Sequence, residues 1–377
     1  MNIAEYLYYL GLSAKKYLAL KNQKRLPHRV ISIGNITLGG TGKTPAAIAV
    51  AEEAKKRGFL PVILTRGYKG NAQGPCFVTR GEKPLLTALQ AGDEPLLMAE
   101  RLSGVPIVKG TDRYEAGMYA IKEIEGLRAA KEVISKSPSP SPSPSRGEGP
   151  NTAPPLRGGD EGEGEIQAID SPFSDHGSPL FILDDGFQHW KLYRDRDIVL
   201  IDSRNPFGSR KLFPAGRLRE PLTALNRADV IMITKAERED AGLIAEIRRY
   251  NRHAPIFFSE HRVAAVRSGT GDRKAPDWLQ DRKVFCFCGL ADPESFRKTV
   301  AGSGADVAGM KAYRDHHRYC QQDVADIVKE SASSGAAWII TTEKDFVKLR
   351  NLDLPQNILI IEIAFIADQT FFESVFA

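Results

Sequence analysis

Cysteine is scarce in this chain of 377 residues: Cys76, Cys286, Cys288 and Cys320 are the four, and none stands in a C-x-x-C pair. That spacing excludes the usual zinc frameworks and reads as a reduced, cytosol-facing protein. Cys286 and Cys288 alternate with Val284, Phe285 and Phe287 in "KVFCFCGL", the pattern of a buried strand rather than a redox pair. No uninterrupted apolar run reaches the roughly 18 residues a spanning helix needs, and no apolar segment with a small-residue cleavage site opens the sequence. Charge of neither sign dominates: 52 Lys+Arg stand against 47 Asp+Glu, a formal net charge of +5. Such a balance suits a phosphate ligand or an anionic surface without calling for nucleic acid. With 42% hydrophobic and 26% charged residues, the chain can fill one large or two ordinary domain cores.

What is present is an alternation. "RVISI", "LPVILT", "GVPIVK", "LFILDD", "DIVLID", "DVIMIT", "PIFFSE", "KVFCFC", "AWIITT" and "NILIIEI" are separated by helical stretches such as Pro45–Arg57 and Glu94–Leu102. This pattern predicts an α/β fold, a mostly parallel sheet with helices on both faces and ligands at the strands' carboxyl ends. "PIFFSE" and "KVFCFC" suggest a second, smaller sheet, with a division near Asp229. Ser135–Pro172, a Ser-Pro repeat running into Gly, Pro and acidic residues, has no apolar periodicity and reads as a disordered insertion. Over residues 1–28, Ile3, Tyr6, Leu7, Leu10, Ala14, Tyr17 and Leu18 recur at helical spacing beside Lys15, Lys16, Lys21, Lys24 and Arg25. Such a helix either lies in a bilayer interface or packs on the protein's own core.

After the first strand comes "TLGGTGKT". Gly42, Lys43 and Thr44 match the end of the G-x-x-x-x-G-K-[ST] phosphate loop, with Thr37 at the first glycine position. Gly39 and Gly40 still allow the backbone amides, Thr41 among them, to turn inward at a phosphate. Lys43 is the candidate for the β- and γ-phosphate oxygens, Thr44 for Mg²⁺, and the following helix adds its N-terminal dipole. Asp184 and Asp185 end the apolar strand "LFILDD", where a second metal-holding acid belongs. "IMITKAE", Ile231–Glu237, faintly echoes a guanine-reading turn, so a regulatory GTPase at a membrane surface is the alternative; Glu237 stands where that turn has aspartate.

"GNITLGGTGKTP", "LTRGYKG", "AGDEPLLMA", "TDRYEAG", "ILDDGFQHWKLYRDRDIVLID", "LFPAGRLREPL", "RDHHRYCQQD" and "TTEKDFVKL" follow one another in this order. The ordered set closely resembles the tetraacyldisaccharide 4′-kinase family over nearly the whole chain apart from the Ser-Pro segment. The resemblance implies a two-domain P-loop fold, with a kinase domain over 29–228 and a smaller C-terminal α/β domain over 229–377 closing over the site. It implies ATP- and Mg²⁺-dependent phosphorylation of the 4′-hydroxyl of an acylated disaccharide 1-phosphate, a peripheral place on the cytoplasmic face of a Gram-negative inner membrane, and no obligate protein partner. It makes Asp93 the candidate base, where spacing alone reads a helix N-cap, and His316 of Asp315–His316 its support in preference to His317. It places Glu220 near the metal and phosphates. Arg66, Tyr68, Lys69 and Arg113, which follow strands, become candidates for contact with nucleotide or the substrate's phosphate, with Gln188 and His189 as site neighbours.

Overall fold

β1 (Val30–Gly34) is buried along its whole length, as a central strand covered by helices on both faces must be. The computed structural model describes residues 2–136, 177–236 and 238–377. Ahead of β1 runs α1 (Ile3–Lys21), opened by a capping box between Asn2 and Glu5. After β1 come α2 (Lys43–Lys56), β2 (Leu60–Thr65), β3 (Cys76–Thr79), α3 (Ala88–Ala91), α4 (Asp93–Arg101), β4 (Ile107–Lys109) and α5 (Arg113–Lys136). Most of the Ser-Pro segment lies outside the described residues, as does Glu237. The chain continues with β5 (Pro179–Asp184), β6 (Arg196–Asp202), β7 (Val230–Thr234), α6 (Ala241–Arg248), β8 (Ile256–Ser268) and β9 (Arg273–Lys274). It ends with β10 (Lys283–Cys288), α7 (Pro293–Ala301), β11 (Asp306–Ala312), α8 (Gln321–Ser333), β12 (Trp338–Thr342), α9 (Glu343–Phe346), β13 (Ile358–Ala367) and α10 (Gln369–Phe376).

All strands join one 13-stranded sheet in the order β11-β10-β12-β13-β8-β7-β6-β1-β5-β2-β4-β3, with β9 on β8. Pairing is parallel from β8 through β1 to β4 and again from β11 to β13. Since β5 and β6 flank β1 while β2 lies beyond β5, the order switches direction at β1, and a crevice opens there at the carboxyl ends. Ala47, Val50 and Ala51 of α2, Met98 of α4 and Phe371 and Val375 of α10 cover Ile31, Ile63 and Ile182. Ala116, Ala120 and Ile124 of α5 cover Val62, Leu64 and Phe181, whose side chains leave the sheet on the opposite side.

The separate second sheet expected from "PIFFSE" and "KVFCFC" is not formed. β8 is 13 residues long; its start pairs with β7 and its remainder runs antiparallel to β13, so backbone pairing is carried across without a break. β7, just past the expected division at 229, pairs with β6 in the register Ile198↔Val230, and α10 returns to the N-terminal core. The α1 stripe does not pack on the core: Ile3 is 81%, Leu7 62% and Tyr17 68% exposed. The helix docks by other residues instead. Glu5, buried, accepts the Leu212 amide at 3.1 Å, and Tyr8 packs edge-on against Phe213.

Candidate active site

The loop after β1 is shaped by its glycines and tied down from outside. Gly39 has φ +122, and a Cβ there would stand 2.2 Å from Arg217 Nη2. That guanidinium donates to the Leu38 carbonyl at 3.0 and 2.8 Å, so the position needs glycine for both backbone angle and space. Gly42, left-handed at φ 84, caps α2 and supplies no side-chain acceptor to its first amides, which are left facing the turn. Thr234 Oγ1 donates to the Thr41 carbonyl at 3.0 Å and Lys235 Nζ to the Gly40 carbonyl at 2.8 Å. These two residues belong to "IMITKAE"; the turn braces the phosphate loop. Lys43 starts α2, and its Nζ donates to Asn35 Oδ1 at 3.3 Å and stands 3.5 Å from Asp185 Oδ1.

Asp184 and Asp185 sit together at the end of β5 in different electrostatic states. Burial and the neighbouring Asp185 charge push the Asp184 carboxyl up to about 6, against the pull of Lys43. Its Oδ2 accepts from Thr65 Oγ1 at 3.2 Å. Burial also disfavours the Asp185 charge, but Lys43 and Arg219 overcome it and bring that carboxyl down to about 2. Arg219 Nη1 reaches both Asp185 oxygens, at 2.8 and 2.9 Å. Burial therefore favours the neutral form of Asp184, while the charge of Asp185 is compensated by its cationic neighbours.

Glu220, expected at the metal, is engaged elsewhere. It is 2% exposed, and Arg227 donates to both its oxygens at 2.7 and 2.9 Å while Gln188 Nε2 donates to Oε1 at 2.9 Å. Gln188 also donates to the Asn35 carbonyl, so Glu220 anchors the frame beneath the loop through Gln188. Arg113 is buried; its Nη1 donates to the Gly110 and Thr111 carbonyls, both at 3.2 Å. Burial lowers its pKa to about 10 against the pull of Asp184 and Asp185. His189 Nε2 accepts the Arg113 amide at 3.4 Å, and burial beside that cation lowers the ring's pKa to about 4, so it stays neutral.

Asp93 and His316, 223 residues apart in sequence, meet: His316 Nδ1 lies 3.0 Å from Asp93 Oδ2. Asp93 is not the N-cap its position suggested. Gly92, at φ +95, caps α4, and Asp93 is the first helical residue. A Cβ on Gly92 would stand 2.6 Å from the Tyr68 carbonyl, so glycine lets the start of α4 close on the Arg66–Lys69 turn. The edge of Tyr68 then meets the His316 ring at 5.5 Å between centroids. Burial favours the neutral form of Asp93, but the hydrogen bond with His316 and the Lys348 ammonium outweigh it and hold the carboxyl below its usual range. His317 pairs with Asp323 at 3.0 Å instead, and Asp315 accepts from Lys344 Nζ at 3.1 Å.

These groups converge on one cavity of about 2010 Å³, lined by the loop residues Gly39–Thr44, by Asp184, Asp185 and Arg113, and by His316 and Lys344. Arg66, Tyr68, Lys69, Gln188 and His189 line it as well. Asp93 adjoins it through its 3.0 Å contact with His316, while Glu220, bonded to Arg227 and Gln188, stands away from it. Sequence reasoning passed over Asn35, Arg219, Lys235 and Lys348. All four stand in or beside the sequence motifs, but the partners of Arg219, Lys235 and Lys348 lie far along the chain.

A family model described as Tetraacyldisaccharide-1-P 4′-kinase matches residues 1–135 and 162–376, breaking off where the Ser-Pro segment begins. The tetraacyldisaccharide 4′-kinase of Syntrophus aciditrophicus (strain SB) is 36% identical over 354 residues, covering 90% of this chain and 81% of its own. That of Halothermothrix orenii is 32% identical over 377 residues, covering 95% and 84%. Among solved structures, the crystal structure of the "apo" form of LpxK from Aquifex aeolicus in complex with ATP superposes with a TM-score of 0.66 at 26% identity, over 99% of this chain and 96% of that one. A phosphate loop, an acid pair and an Asp-His pair on one cavity, in a chain matched nearly end to end, have one explanation: the protein belongs to the tetraacyldisaccharide-1-P 4′-kinase family.

Proposed function

We propose that the protein transfers the γ-phosphate of ATP to the 4′-hydroxyl of a tetraacylated glucosamine disaccharide 1-phosphate, a step of lipid A synthesis. The observation that carries the reading is that the phosphate loop and His316, which is hydrogen-bonded to Asp93, line the same cavity. Phosphoryl transfer asks the protein mainly to align an acceptor with the γ-phosphate and to neutralise spreading charge. Lys43 and the amides at the start of α2 answer the second need. The Asp93–His316 pair answers the first, with Asp93 as the base that orients the hydroxyl and takes its proton and His316 as its support. Arg66 and Arg113 suit the substrate's own phosphate.

Thr44 with Asp184 and Asp185 offers hard oxygen donors of the kind Mg²⁺ takes, and Asp184, whose buried carboxyl accepts from Thr65 Oγ1 at 3.2 Å, fits such an ion. Among the described residues no group of three or more His, Cys, Asp or Glu is set to hold a metal. The remaining ligands then come from phosphate and water, as is usual for Mg²⁺. When bound, the ion neutralises charge between the β- and γ-phosphates. Labelled phosphate supplied as ATP, with detergent-dispersed disaccharide 1-phosphate, should appear at the 4′ position. Nucleotide hydrolysis with strong GTP selection and no labelled lipid would favour the membrane GTPase reading and sink this one.

The same proposal puts the enzyme on the cytoplasmic face of the Gram-negative inner membrane as a peripheral protein. No helix among the described residues is long and apolar enough to cross a membrane. α1 offers a surface instead: Ile3, Tyr6, Leu7, Leu10, Tyr17 and Leu18 are exposed, and Lys15, Lys21 and Lys24 on and just beyond the helix supply positive charge. Replacing Leu7 and Leu10, 62% and 45% exposed, by Ser should weaken co-sedimentation with anionic vesicles and raise the apparent KM for vesicle-borne acceptor several-fold. The KM for ATP should stay unchanged. Undiminished sedimentation with a lowered Tm would show that the stripe serves the fold.

A further inference from the structure

The segment "TTEKDFVKL" gives Lys344 to the cavity wall, and two of its other residues, Asp345 and Lys348, are buried beside the Asp93–His316 pair. Asp345 is fully buried and carries three donors on its carboxylate: the Gly289 amide at 3.0 Å, Thr342 Oγ1 at 2.7 Å and Lys348 Nζ at 2.8 Å. Each of two of these leads to the Asp93–His316 pair. The carbonyl of Gly289, whose amide Asp345 holds, accepts the His316 amide at 3.3 Å. His316 has φ +62, a left-handed angle that a histidine keeps only when its surroundings impose it. The Lys348 side chain, 6% exposed, reaches from Asp345 to within 3.7 Å of Asp93 Oδ2, the oxygen that meets the His316 ring. Its ammonium also lies over the Tyr319 face at 5.2 Å.

We infer that Asp345 and Lys348 are a buried positioning pair for the Asp93–His316 dyad, one fixing the backbone that presents His316 and the other supplying the fixed positive charge that keeps Asp93 ionised. The inference rests on the phosphotransfer reading above. Neither residue lines the cavity, so neither touches nucleotide or acceptor. The charged groups facing Asp93 are Glu94 on its own helix, Asp315 and His316 after β11, and Lys344, Asp345 and Lys348 after β12. Lys344 is pinned between Glu94 at 2.9 Å and Asp315 at 3.1 Å, its charge offset by those two carboxylates. Lys348 lies between Asp345 at 2.8 Å and Asp93 at 3.7 Å.

Lys348→Met should lower single-turnover kcat by on the order of 10–100-fold at neutral pH, the scale of losses from small misplacement of a reacting group. The acid limb of the kcat–pH profile should move to higher pH, because Asp93 loses the cation that favours its charged form, with KM for ATP unchanged. This variant also strands the buried Asp345 charge, which can cost stability. The double variant Asp345→Asn, Lys348→Met removes both charges and should recover Tm while keeping the displaced acid limb. A folded double variant with kcat within twofold of the parent and its acid limb unmoved would overturn the inference. NMR titration of the ¹³C-labelled Asp93 carboxyl in parent and double variant needs no acceptor. If the parent transfers no phosphate to the disaccharide 1-phosphate, the functional reading fails, and the carboxyl titration still decides for or against the positioning pair.

Discussion

Lys43→Ala is expected to reduce turnover about a thousandfold or more, the largest single loss among loop residues. Its ammonium is the cation that α2 delivers at its first position, between Asn35 Oδ1 at 3.3 Å and Asp185 Oδ1 at 3.5 Å. A charge fixed in this way costs no reorganisation as the phosphoryl group transfers, and one such clamp in a water-poor site contributes several kcal/mol. The variant should fold. Asp185 keeps Arg219 on both oxygens, and the loop keeps its ties to Thr234, Lys235 and Arg217, none of which passes through Lys43. Single-turnover transfer at saturating ATP, with a thermal melt as control, checks this. A near-normal rate in a folded variant would remove Lys43 from the transfer step and leave it as a structural partner of Asp185.

The phosphate loop was legible because every signal it needs is local. Gly42, Lys43 and Thr44 follow a strand within a few residues, and Asp184 and Asp185 end another. The central strands were legible for a similar reason: buried on both faces, they leave unbroken apolar runs such as "LPVILT". The edges were not. β3 and β11, at the two ends of the sheet order, were missed, and "DVAGMKA" of β11 is partly or fully exposed throughout, so nothing requires an apolar run there. β8 continues well past "PIFFSE" because its later residues pair with β13, and the polar Arg262 and Arg267 interrupt the pattern that would have extended it.

Site residues divide along the same line. Glu220 stands in a family motif, and its type suggested metal, but Arg227, seven residues on, claims both its oxygens. Asn35, Arg219 and Lys348 act through partners between 8 and 255 residues away, a relation no spacing rule conveys. Asp93 shows the point most clearly. One residue after a glycine and two before a proline, it reads as a cap. In the structure Gly92 takes the cap, which frees the Asp93 carboxylate for His316.

That freed carboxylate sets the second large expectation. Asp93→Ala and His316→Ala should each lower kcat by roughly 10²–10⁴-fold, the range for a positioned acid–base group. ATP binding should survive in both, since neither residue belongs to the loop or to α2. The fold should survive as well: without Asp93, Lys348 keeps Asp345 at 2.8 Å, and without His316, Asp93 keeps Lys348 at 3.7 Å. Because Asp93 Oδ2 and His316 Nδ1 share one 3.0 Å contact, the two are expected to act as one unit. Residues that act as one unit lose their joint contribution when either is removed, so the double variant should be little slower than the poorer single one. Two groups working separately would give losses that multiply. The measurement is a double-mutant cycle on single-turnover transfer with ATP saturating. Multiplying losses would break the pairing, and two near-normal single variants would return Asp93 to a structural role at the start of α4.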